Sequence, residues 1–116
     1  MRVMVLVKAT ADSEAGHRPE PFFSQMMAAM DRFNDELRAA GALVMAAGLV
    51  ESSAGKRVLF DGEARSVIDG PFPHPEELVA GFWLWDVASM DEALAWVQRC
   101  PNPMPGPSII EVRPLH

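Results

Sequence analysis

The segment Val79 to Val87 (VAGFWLWDV) limits the fold more than any other stretch of the chain, because it is apolar on both faces. Side chains alternate along an extended strand, so Val79, Gly81, Trp83 and Trp85 share one face while Ala80, Phe82 and Leu84 share the other. Such a strand belongs in the middle of a sheet, with cover on both sides. Met1 to Lys8, rich in Val, Met and Leu and free of breakers, reads as a second core strand, and Ala42 to Val50 as a third.

The cover has to come from two helices. From Ser24 to Ala40 the apolar residues Met26, Met30, Phe33 and Leu37 recur at helical spacing, with Gly41 as the stop. The methionine stripe reads as core packing. Ser89 and Glu92 form a capping box that opens a second helix to about Arg99, with Ala93, Trp96, Val97 and Cys100 on one stripe. Between them, Lys56 to Phe60 and Ala64 to Ile68 flank Asp61-Gly62-Glu63 and read as a β-hairpin with an exposed, charged edge. Ala11 to Pro21 and Asp69 to Pro75 carry enough glycine and proline to read as loops. The prolines from Pro101 to Pro107 predict a stiff extended connection to a last strand, Ser108 to Arg113.

The order is strand, helix, strand, inserted hairpin, strand, helix, strand. It predicts an α+β domain of ferredoxin-like βαββαβ type spanning residues 1–116. Two helices cover one face of such a sheet. The large apolar groups on the other face predict a partner, most simply a second copy packing sheet to sheet.

Composition closes several other routes. Ten Lys and Arg against sixteen Asp and Glu give a net charge of −6, the wrong sign for gripping nucleic acid or an anionic membrane. The single Cys100 makes no internal disulfide, and one Cys with three His is too few for a structural zinc. Cys100 reads as a packed, inert thiol. The longest uncharged run, Ala39 to Val50, is twelve residues, short of the roughly 20 a membrane span needs. With no signal-peptide pattern at the N-terminus, a cytoplasmic location is expected. Gly48, Gly55, Gly62 and Gly70 lie in separate turns, so no phosphate-binding loop and no nucleotide cofactor is expected.

Several motifs carry a family resemblance. They are Asp69-Gly70-Pro71-Phe72, the strand Gly81 to Trp85, the helix start Ser89 to Ala93, the loop Arg99 to Gly106, and the ending Ile110 to Pro114. Together they resemble the DGPF family of the YCII-related superfamily over nearly the whole chain. The resemblance implies a dimeric α+β barrel, with two ferredoxin-like sheets face to face. The superfamily includes a dehydrochlorinase-type enzyme and enzymes with a His/Asp pair, and family genes lie near those of extracytoplasmic-function sigma factors. Relatives carry Gly-Glu-Gly-Leu-His-Pro-Ser after the second strand. This chain has Ala46 to Ser52 there, with Ala47 and Val50 in place of the acid and the imidazole, so chemistry relying on those two groups is expected to be absent or relocated.

Asp69 has two readings: a carboxylate fixing its turn through backbone N–H groups, or an acid/base group partly desolvated beside Phe72, Trp83 and Trp85. Glu111 and Arg113 share one face of the last strand, opposite Ile110 and Val112. They read as an interface ion pair, or as a site in which Arg113 holds an anion. His74, between two prolines, reads as an exposed loop residue or as a catalytic group reaching a pocket; His17 and the terminal His116 are weaker candidates.

The expectation is a homodimer, or a higher oligomer, binding a small ligand in the sheet-to-sheet cavity. Phe72, Trp83, Trp85, Glu111 and Arg113 would line it beside Asp69. The alternatives are a cofactor-independent lyase or isomerase acting on a small hydroxylated acid, and an accessory partner of a sigma factor.

Overall fold

The computed structural model describes all 116 residues. Its strands and helices run in the order β1 (Arg2–Lys8), α1 (Ala11–Glu14), α2 (Phe22–Ala39), β2 (Leu43–Gly48), β3 (Lys56–Asp61), β4 (Ala64–Asp69), β5 (Val79–Asp86), α3 (Met90–Arg99) and β6 (Ile110–Pro114). Strands β2, β5, β1 and β6 form one antiparallel sheet in that order, which is the ferredoxin-like arrangement; β3 and β4 form a separate hairpin. No helix is long and apolar enough to cross a membrane.

The alternation expected for β5 is present. Gly81, Trp83 and Trp85 are buried while Phe82 and Leu84 are half-buried. Pairing carries this parity across the sheet: Val3 lies opposite Trp85, Val5 opposite Trp83, and Val7 opposite Gly81. These residues meet Phe33 and Leu37 of α2 and Ala93 of α3 in the core. Phe33 sits edge-on to Trp83, Trp85 and Trp96, with ring centroids 6.0–6.2 Å apart, the arrangement aromatic quadrupoles favour. The opposite face of the sheet carries Met4, Leu6, Phe82, Leu84 and Met45, all partly or largely exposed, and neither α2 nor α3 covers it.

Helix α2 ends where Gly41 predicts. Gly41 adopts φ 74°, its N–H donates to Arg38 O, and Ala42 N donates to Leu37 O, a Schellman closure with buried Ala42 against buried Leu37. The helix starts two residues earlier than its apolar spacing suggested, because the Glu20 carboxylate accepts from Ser24 N at 2.8 Å and takes the capping role from outside. The first loop also holds one helical turn. Thr10 and Ser13 cap each other reciprocally and support α1, a Thr-x-x-Ser signal lost among the glycine and prolines around it. Before α3, Ser89 accepts from Glu92 N, while Glu92 reaches back to Ala88 N rather than to its partner in the expected box.

The proline-rich connection is bent rather than extended. Asn102 gathers it through bonds to Gly106 O, Met104 N and Ser108 Oγ, and this places Met104 in the core. The last strand accordingly starts at Ile110, two residues later than expected.

Candidate functional site

The sheet's small residues create the site. The C-terminal half of α2 packs tightly through Phe33 and Leu37. Its first half faces Ala46, Gly48 and Gly81, which have too little bulk to fill the space. A cavity of about 450 Å³ remains, roofed by Phe23, Met26, Met27 and Met30 and floored by Val7 and Trp83. Pro103 and Met104 close one side. This volume lies within the range of small-molecule sites, and thioether side chains adapt their shape to what they touch.

Two polar side chains enter this apolar lining. Asn34 accepts from Trp83 Nε1 at 2.8 Å, and its amide NH₂ makes no protein hydrogen bond, so two donors are left for a ligand. Arg18 stands where the cavity meets a smaller cleft of about 100 Å³ that also touches Ser13 and His17. Its guanidinium bonds Glu51 at 2.9 Å and Gly16 O at 3.3 Å, which ties the first loop to the segment after β2. A hydrogen bond from its own backbone N–H, and then Arg18, hold the Glu51 carboxyl below its usual range.

The residues singled out from the sequence do not assemble into one site. Trp83 and Trp85 face the helices instead of the open sheet face, so they line no sheet-to-sheet cavity; only Trp83 touches the cavity found here. Asp69 is 74% exposed and pairs with Lys56 at 2.5 Å across the hairpin, where its own strand position sets it opposite. It is neither desolvated beside the tryptophans nor bonded to the backbone of its turn. The turn after it is fixed by other means. Gly70 packs so closely on the Ser52 turn that a Cβ would lie 1.7 Å from Ser52 O, and Phe72 N donates to Ser52 Oγ at 2.9 Å. Glu14 of α1 holds that serine through its backbone N–H and hydroxyl.

Phe72 is half-buried, 4.1 Å beneath the Arg57 guanidinium. His74 is exposed, at φ 62°, beside Glu76. Glu111 and Arg113 lie on the open sheet face and bond each other at 3.2 Å, while Ile110 and Val112 turn towards the core. Ala47 lies at the cavity edge and Val50 is 75% exposed just beyond it, so neither brings a titratable group to the cavity. The groups missed by sequence reasoning are Arg18, Asn34 and the cavity face of α2. Their signal was the pairing of small residues on β2 and β5 beneath a methionine stripe, which only the register brings together.

Fold and cavity together define a ferredoxin-like α+β domain with a pocket between its sheet and its longest helix, plus a projecting hairpin. The chain belongs to the YCII-related family, whose domain matches residues 1–116. It is similar to an uncharacterized protein of Rhizobium meliloti, at 40% identity over 76 residues that make up 66% of this chain and 61% of that one. Among solved structures it resembles 5-chloro-2-hydroxyhydroquinone dehydrochlorinase (TftG) from Burkholderia phenoliruptrix, in complex with 2,5-dihydroxybenzoquinone. That likeness has a TM-score of 0.54 at 15% identity and covers 100% of this chain and 95% of the other.

Proposed function

We propose that the chain binds a small, flat, largely apolar molecule with a polar edge in the cavity beneath α2, in each subunit of a homodimer formed through the open sheet faces. The cavity carries this reading, because its apolar lining meets the Asn34 amide and the Arg18 guanidinium. Apolar area on the far side of the sheet supports the dimer. The Asp69-Gly70-Pro71-Phe72 run supports a place in the DGPF branch of the family, and here its role is to seat the hairpin base on Ser52.

The 2,5-dihydroxybenzoquinone held by the structural neighbour supplies the first probe. Titration followed by tryptophan fluorescence is expected to show saturable quenching of Trp83, weakened roughly tenfold in Arg18→Ala through loss of one charge-assisted bond. No saturation up to millimolar probe, for it or for simple aromatic acids, refutes the pocket reading. Light scattering checks the dimer, and a mass near 12.7 kDa at micromolar concentration refutes it.

His17 favours a second reading, a cofactor-independent lyase acting on a hydroxylated acid. The residue borders the cleft beside Arg18 and is otherwise exposed, and an imidazole there could serve as an acid/base group. Turnover of a hydroxylated aromatic acid, lost in His17→Gln with probe binding kept, would establish it. Equal turnover by the variant would remove it.

A further inference from the structure

The β3–β4 hairpin has no cover of its own. All twelve of its strand residues are exposed. Pairing places Val58, Val67 and Phe60 on one side and Leu59 and Ile68 on the other, so each side exposes large apolar groups between its charged ones. A lone two-stranded ribbon is marginal in water, and exposed apolar strands invite pairing or packing. The hairpin also stretches the molecule. The radius of gyration is 15.9 Å, against about 13 Å for a compact chain of this length.

We infer that this hairpin is an arm that closes over a second copy of the same chain, extending the contact made by the open sheet faces. This inference rests on the dimer proposed above and names the segment that completes it. Area argues for the second copy. With strands about 4.8 Å apart and about 3.4 Å per residue, the four-stranded face offers on the order of 400 Å². One arm about 20 Å long and 10 Å wide covers about 200 Å². Its own buried side, together with the patch covered by the partner's arm, doubles the footprint of the sheet face, towards the roughly 800 Å² of accessible surface that a stable interface buries per partner.

Charge argues the same way. On the arm, Lys56, Arg57 and Arg65 balance Asp61, Glu63 and Asp69, so the whole net charge of −6 lies on the body. Two acidic bodies repel each other, and a neutral arm reaches across at no electrostatic cost. The base is built to carry such an arm: Gly70 N donates to Gly55 O at 2.9 Å, and Lys56 pairs with Asp69 just beyond.

Sedimentation equilibrium tests the inference on three proteins: the wild type, Phe60→Ser/Val67→Ser, and a chain in which two glycines replace Lys56 to Asp69 between the hydrogen-bonded Gly55 and Gly70. The double variant changes only exposed positions, so it retains its fold even if the deletion does not. Both variants are expected to keep the wild-type tryptophan spectrum and to weaken dimerisation at least 100-fold. Hydrogen exchange of the arm amides is expected to be slow in the dimer and to speed up on dilution. A wild-type monomer overturns the dimer and the arm together. A wild-type dimer that the double variant leaves unchanged, or arm amides that exchange freely within the dimer, overturns the arm alone.

Discussion

Trp83 and Trp85 lie two residues apart on one strand and face one core, yet replacing them by phenylalanine is expected to have unequal effects. In each case the lost burial and the void it leaves cost about 2 kcal/mol. The indole N–H separates the two. Trp83 Nε1 donates to Asn34 at 2.8 Å, so Trp83→Phe strands the Asn34 carbonyl at a further cost of about 1 kcal/mol, modest because the cavity admits water. Trp85 is wholly buried and its Nε1 has no partner. Trp85→Phe therefore removes an unsatisfied donor and regains about 1–3 kcal/mol. The variants are expected to differ by at least about 2 kcal/mol, or about 8 °C in melting temperature for a chain of this size. Calorimetry at matched protein concentration measures it. A Trp85→Phe variant that melts no higher than Trp83→Phe refutes the assignment of the two indoles.

Gly70, Asp69 and Cys100 each give a further outcome to measure. Gly70→Ala drives a methyl into the Ser52 carbonyl and is expected to cost about 1–3 kcal/mol in a thermal melt. Asp69→Asn removes an exposed pair with Lys56, so it is expected to shift stability by under about 1 kcal/mol and to leave probe binding unchanged; loss of binding would return Asp69 to the site. Burial pushes the Cys100 thiol from 9.0 up to about 12. Native protein is therefore expected to resist iodoacetamide at pH 8, where urea-unfolded protein reacts. The fold favours the protonated thiol, so its contribution to stability is whole below pH 9 and falls as pH rises from 9 through 12, since the unfolded chain ionises first. Urea melts across that range check the sign.

Much of the architecture could be read from local pattern. The parity of β5, the glycine stop of α2 and the Asp-Gly turn of the hairpin depend on neighbours in sequence, and each appears in the structure. The side on which the tryptophans lie was not local. One clue was available in β1, where Val3, Val5 and Val7 form a purely apolar row while the row Met4, Leu6 and Lys8 ends in a cation. Only the register, with Val5 opposite Trp83, transfers that distinction to β5 and turns the indoles under the helices. The cavity was hidden for the same reason. It arises from what Ala46, Gly48 and Gly81 fail to fill, and the absence of bulk on two strands becomes a space only when they are adjacent and a helix bridges them.

Helix α2 is held in different ways at its two ends, by a carboxylate cap at its start and by packing at its close. Its last two turns are locked by Phe33, Leu37 and the closure at Gly41, whereas its first turns rest on methionines over empty space. Its support is graded: the aromatic cluster bears on the last turns, adaptable thioethers on the first. Under the proposed binding, a bulkier guest would be met by methionines that re-pack around it, and selectivity among guests would fall to the donors of Asn34 and Arg18 more than to the outline of the walls.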